Sequence, residues 1–158
     1  MKVQGSYLFN ADAESVWNAL QSPEVLSSCI PGSEEFRPTG PDTYDVALRL
    51  RVAVVSGSYT GKVTIEDKVH PESYRMIVEG KGAAGSLRSE VSFKLSPEDG
   101  GTRVELSGDA QVSGVVARVG QRLMGSASRM LMNQFFGCLK SRVEGVSSPR
   151  REQPPGGE

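Results

Sequence analysis

The chain has 158 residues, the length of one ordinary domain, a net charge of −1 and 23% charged residues, totals that exclude a disordered polyelectrolyte and a nucleic-acid binder. Its two cysteines, Cys29 and Cys138, lie far apart with no CxxC or metal-ligand spacing, so neither a disulfide framework nor a metal site is expected and a reducing cytoplasm fits. No apolar leader opens the sequence, and no window approaches the roughly 18 apolar residues of a membrane span.

Residues 2 to 9 alternate as a strand, with Val3, Gly5, Tyr7 and Phe9 on one face. The period then changes. Asp12 is placed to cap a short helix carrying Val16, Trp17 and Leu20, and Ser22-Pro23 opens a second, stopped by Ile30-Pro31-Gly32. From about residue 34 to 112 the pattern has period two, broken by turn signals at Gly40-Pro41-Asp42, Ser56-Gly57, His70-Pro71 and Pro97 to Gly101. One face collects Tyr44 to Val54, Tyr59 to Ile65, Tyr74 to Gly82, Leu87 to Leu95 and Thr102 to Val112 at every second residue. The other collects charges such as Arg49, Lys62, Arg75, Glu79, Arg88, Glu90 and Arg103. An antiparallel sheet with one wet face gives this alternation.

Residues 114 to about 144 read as one long helix with an apolar stripe through Val116, Leu123, Ala127, Met130, Leu131, Phe135 and Leu139. The proline-, glycine- and charge-rich end, residues 147 to 158, is expected to be a disordered polar tail beyond a single domain of residues 1 to 146. Strand, two short helices, more strands and a long final helix predict an α+β helix-grip fold, a curved antiparallel sheet of about seven strands wrapped around that helix.

A grip of this kind is either packed solid or left hollow. The inward positions Gly61, Gly80, Gly82, Gly108 and Ala110 are small, which suits either sheet curvature or a cavity. The expected apolar wall is Leu48, Tyr59, Met76, Val78, Gly80, Val91, Phe93, Leu106 and Ala110 from the sheet, with Leu123, Met130 and Phe135 from the helix. That inward face carries no Asp, Glu, His, Lys or Arg, the groups that acid-base or metal chemistry requires, so no catalytic residue is assigned. Hydroxyls of Tyr44, Tyr59, Tyr74, Ser89 and Thr102 remain to orient a carbonyl or quinone-like oxygen. His70 reads as a solvated loop residue and Cys29 as structural.

Residues 113 to 158 carry 7 Lys/Arg against 3 Asp/Glu, whereas the first 112 carry 11 against 16. Arg118, Arg122, Arg129 and Lys140 recur near whole helical turns, together with Phe136, predicting a basic stripe with an exposed aromatic. Such a stripe is either a solvated face or a docking surface for anionic lipid or an acidic partner.

Cys29-Ile30-Pro31-Gly32, Tyr59-Thr60-Gly61-Lys62-Val63, Gly80-Lys81-Gly82, Gly100 to Val104, Val112 to Gly120 and Asn133-Gln134-Phe135-Phe136, in that order, resemble the CoxG family of carbon monoxide dehydrogenase subunits. The resemblance spans roughly residues 1 to 144. It implies a START-like, Bet v 1-like fold of the SRPBCC superfamily. It also implies a non-catalytic accessory of a carbon monoxide dehydrogenase-like molybdenum hydroxylase, holding a lipid or an isoprenoid quinone. The implied location is the cytoplasm with peripheral, transient contact to the inner face of the cell membrane. No resident cofactor is expected beyond such a bound quinone or lipid. Two other readings stay open: an enzyme of the polyketide cyclase or aromatase type, and an assembly factor without a ligand.

Overall fold

The computed structural model describes residues 1–52 and 55–147. Strand β1 (Lys2–Phe9) leads into helices α1 (Ala13–Gln21) and α2 (Pro23–Cys29). Then come β2 (Ser33–Gly40), β3 (Thr43–Leu50), β4 (Gly57–Val69), β5 (Ser73–Gly82), β6 (Gly85–Glu98) and β7 (Gly101–Ser113). A 3₁₀ turn, Val115–Val119, precedes the long helix α3 (Gln121–Ser147). The seven strands form one antiparallel sheet in the order β1-β7-β6-β5-β4-β3-β2, curved around α3 in a START/Bet v 1-like helix grip.

Local chemistry sets the element ends. Asp12 accepts a 2.8 Å hydrogen bond from the Ser15 N–H, and hydrogen bonding by the Ser15 side chain and then by this N–H holds its carboxyl below the usual range; Ser22 caps α2 ahead of Pro23. The turns at Asp42, Asp99 and Gly100 have positive φ, conformations that Asp and Gly tolerate. Strand β3 stops at Leu50, short of the expected Val54, because the chain turns out of the sheet with Val55 N–H donating to the Val52 carbonyl. Val54 itself, and the tail from residue 148, lie outside the described residues.

The helix expected from residue 114 is interrupted: Gly120 takes φ +91°, and α3 starts at Gln121. The apolar side chains form two clusters, and the smaller one spans this break, with Val116 before it and Ala127 after it. The larger joins Phe9, Val16, Trp17 and Leu20 with Tyr44, Ile65, Tyr74, Phe93, Val104 and Leu106 of the sheet and Phe136, Leu139 and Val143 of α3. The smaller, at the other end of the strands, joins Val55, Val116 and Ala127, with Leu50, Val112, Met124 and Leu131 packed against it. Burying each large apolar side chain contributes about 1.5–3 kcal/mol, so the larger cluster carries most of the stability.

Cys29 and Cys138 form a disulfide, with Cα atoms 5.4 Å apart, correcting the expectation of two unpaired thiols. They lie 109 residues apart, and only the return of α3 past the end of α2 brings them together.

Candidate functional site

The site is the concave face of the sheet between the two clusters. Antiparallel register aligns inward residues into rows: Leu48 with Tyr59, Val46 with Gly61, Gly61 with Gly80, Gly80 with Leu87, and Val63 with Val78. In the row Val46-Gly61-Gly80-Leu87 the two middle positions have no side chain, leaving a hollow in the floor. The two glycines differ in cause. A Cβ on Gly61 would sit 2.1 Å from the Glu79 carbonyl oxygen, so this residue permits a close approach of β4 and β5. At Gly80 the nearest atom, the Thr60 carbonyl oxygen, would be 3.6 Å away, an ordinary contact, so that position could carry a side chain without a clash.

Val46, Leu48, Tyr59, Met76, Val78 and Gly80 are only half-buried, and Leu87, in register with Gly80, is 37% exposed. Apolar side chains on the concave face that solvent still reaches form a band on which an apolar ligand could lie. Val91, Phe93, Leu106 and Ala110, expected in the same wall, are instead buried. Phe93 stacks on Tyr74 with ring centroids 4.7 Å apart, and Val91 and Leu106 belong to the larger cluster, so these three serve as packed core at one end of the band.

Charge is kept outside. Arg75 pairs with Glu66, Asp67 and Glu90, and Arg88 with Glu79 and Glu90, all on the convex face. Several hydroxyls near the concave face are already bonded to backbone: Tyr59 to the Val55 carbonyl at 2.8 Å, Ser89 to Asp109 at 3.2 Å and Thr102 to Ala11 at 2.8 Å. Burial raises the pKa of Tyr74 strongly, and those of Tyr7 and Tyr59 to a lesser degree, keeping these phenols neutral. A separate surface recess of about 640 Å³ near Ala13, Pro71, Tyr74, Arg75, Lys94 and Pro97 shares only Phe93 with the expected wall.

A family model for the G subunit of carbon monoxide dehydrogenase (CoxG) matches residues 5–144. The chain belongs to that family. A conserved protein from Geobacillus kaustophilus is 30% identical, with a TM-score of 0.90, over 92% of this chain and 97% of that one. A START superfamily protein from Mycobacterium smegmatis is 14% identical at a TM-score of 0.71, covering 92% and 98%. A Thermus thermophilus protein is 16% identical at 0.70, covering 94% and 100%. The last two are likenesses of fold. A search of curated protein sequences finds no match.

In this member of the CoxG family, α3 presents different stripes along its length. Met124, Ala127 and Leu131 face the smaller cluster, whereas Phe136, Leu139 and Val143 enter the larger one about 120° further around the helix. Phe135, expected in the ligand wall, is half-buried and packs against the larger cluster, edge-on to Phe136. Two expectations fail for this reason. Leu123 and Met130, assigned to the ligand wall, are each 50% exposed and lie on the outer side of the helix. Phe136, expected to be an exposed aromatic on the basic stripe, is 2% exposed and stacks on Tyr7 with centroids 4.1 Å apart.

The outer surface therefore combines exposed Val115, Leu123 and Met130 with exposed Arg118, Arg122 and Arg129. Lys140, further along, is half-buried. His70, expected to be a solvated loop residue, lies 2.9 Å from Glu14 and edge-on to Trp17. Among the described residues no helix is long and apolar enough to cross a membrane.

Proposed function

We propose that this CoxG-family protein is a non-catalytic carrier that holds an apolar small molecule, a lipid or an isoprenoid quinone, in the cleft between the concave sheet and α3. It does so in the service of a carbon monoxide dehydrogenase-like molybdenum hydroxylase. The observation that carries this reading is the half-buried apolar band from Val46 and Leu48 to Leu87, with the side-chain-free position Gly80 at its centre. Apolar surface left open on a concave face is stabilised by an apolar ligand that displaces water from it. Catalysis of the cyclase type is disfavoured because Tyr59, Ser89 and Thr102 already donate to backbone carbonyls, which leaves these hydroxyls no free proton to place on a substrate.

The exposed Val115, Leu123 and Met130, set among Arg118, Arg122 and Arg129, suit peripheral contact with an anionic bilayer. Each cation near such a surface contributes about 1 kcal/mol, so three support reversible, salt-sensitive binding and no permanent anchor.

Native mass spectrometry of freshly purified protein, followed by organic extraction, tests the carrier reading. A stoichiometric quinone or lipid adduct is the expected result. A clean apo mass that gains nothing from added quinone would leave the ligand-free assembly factor as the better reading.

A further inference from the structure

Helix α3 is held from two sides by different means. On one side Phe136 stacks on Tyr7, the Tyr7 hydroxyl donates to Asn133 Oδ1 at 2.9 Å, and Glu144 accepts from the Asn10 N–H at 2.9 Å. These contacts join α3 to β1 and the start of α1. On the other side α3 meets α2, which packs on β2 at the far edge of the sheet. There the tie is the Cys29–Cys138 bond, with Arg142 Nη1 donating to Ser28 Oγ beside it. Cys138 lies on the same helical stripe as Met124, Ala127 and Leu131, the residues of α3 that face the smaller cluster. The bond therefore ties α3 to α2 on the side of the helix that continues, two turns toward its N-terminus, into Leu131 and the smaller cluster.

We propose that the Cys29–Cys138 bond is a redox-operated clasp on the cleft between the sheet and α3, closed when oxidised and opened by a thiol reductant. Cys29 is 4% exposed, whereas Cys138 is half-buried and is the more accessible of the two residues. A reductant thiolate attacks Cys138 Sγ, the S–S bond breaks, and Cys29 leaves as a thiolate that takes up a proton. A second thiol then attacks the mixed disulfide and releases Cys138 as a thiol. Two electrons and two protons pass to the protein, and the reductant departs as its disulfide. The Arg142 guanidinium, one turn beyond Cys138 and bonded to the neighbour of Cys29, favours the thiolates that form. With the bond open, the apolar contacts of Phe136, Leu139 and Val143 still seat the C-terminal half of α3. The N-terminal half, which exposes Leu123 and Met130 and follows the break at Gly120, retains only the smaller cluster.

The clasp rests on the carrier reading, so the experiment separates the two. Uptake of the uncharged dye Nile red and hydrogen–deuterium exchange are followed on the full chain, air-oxidised or treated with dithiothreitol, and on the C29S/C138S double variant. Reduction is expected to speed dye uptake and the exchange of residues 121 to 138 by roughly tenfold, with residues 139 to 143 and strands β5 to β7 unchanged. The double variant should match the reduced protein and ignore dithiothreitol. Faster local exchange with no dye bound in either state would uphold the clasp and sink the carrier reading. Three results would overturn the clasp: equal uptake and exchange in both redox states, free thiols in the intact mass of the oxidised protein, or exchange rising evenly over the whole sheet on reduction. The last would make the bond a global staple.

Discussion

At the scale of single residues, stability is held by groups whose partners lie far away in sequence. Thr102 is fully buried and its hydroxyl donates to the Ala11 carbonyl across 91 residues. Thr102→Val keeps the shape but strands that carbonyl, and should cost about 1–3 kcal/mol in urea unfolding. Glu98 is bound bidentately by Arg103, with contacts of 2.8 and 2.6 Å, and this hydrogen bonding lowers its pKa below the ordinary value of 4.5. A carboxyl depressed in the folded state contributes stability above its unfolded pKa and loses it as pH falls through the folded one. Glu98→Gln should therefore lower the urea midpoint at neutral pH, and its deficit should vanish once the pH has fallen through the lowered folded-state pKa. A deficit that persists in acid would assign the effect to packing instead.

Among the elements, α3 is the informative one, because its two halves bury different stripes. Phe136→Ala removes a ring that is 2% exposed and stacked on Tyr7, and should cost about 3–5 kcal/mol. The paired change L123S/M130S removes side chains that are half exposed, so thermal unfolding should shift little. The same double variant should sediment less with vesicles containing anionic lipid at low salt, where the parent binds. Unchanged sedimentation would remove the outer face of α3 from the membrane proposal.

For the molecule as a whole, the question is whether the grip is hollow, and two glycines separate the answers. At Gly80 an added Cβ would meet nothing nearer than the Thr60 carbonyl oxygen at 3.6 Å, so in Gly80→Leu the fold should persist while uptake of an apolar probe falls. Gly108→Leu is expected to destabilise instead, because a Cβ there would meet the Glu90 carbonyl oxygen at 2.0 Å and the Val91 Cα at 2.7 Å. Circular dichroism with dye binding distinguishes the two variants. If Gly80→Leu took up probe as the parent does, the ligand would lie elsewhere.

Much of this was legible in the chain itself. Period-two alternation put Arg75 and Glu90 outside and Met76 and Val91 inside, because successive strand residues face opposite ways whatever the partner strand. Asp12, Ser22 and Pro23 marked helix starts because capping is chemistry within one turn. The seven-stranded grip followed from element order, since neighbouring antiparallel strands need only short turns. Tertiary structure decided the rest. Which side of α3 faces inward depends on where the helix is broken and what it crosses, so Phe136 went in and Leu123 and Met130 came out. Cys29 and Cys138 meet only because two helices 109 residues apart pack together, a distance that no local pattern records. Gly61 and Gly80 look alike in sequence, and only the approach of neighbouring backbone made glycine a necessity at one and left room for a side chain at the other.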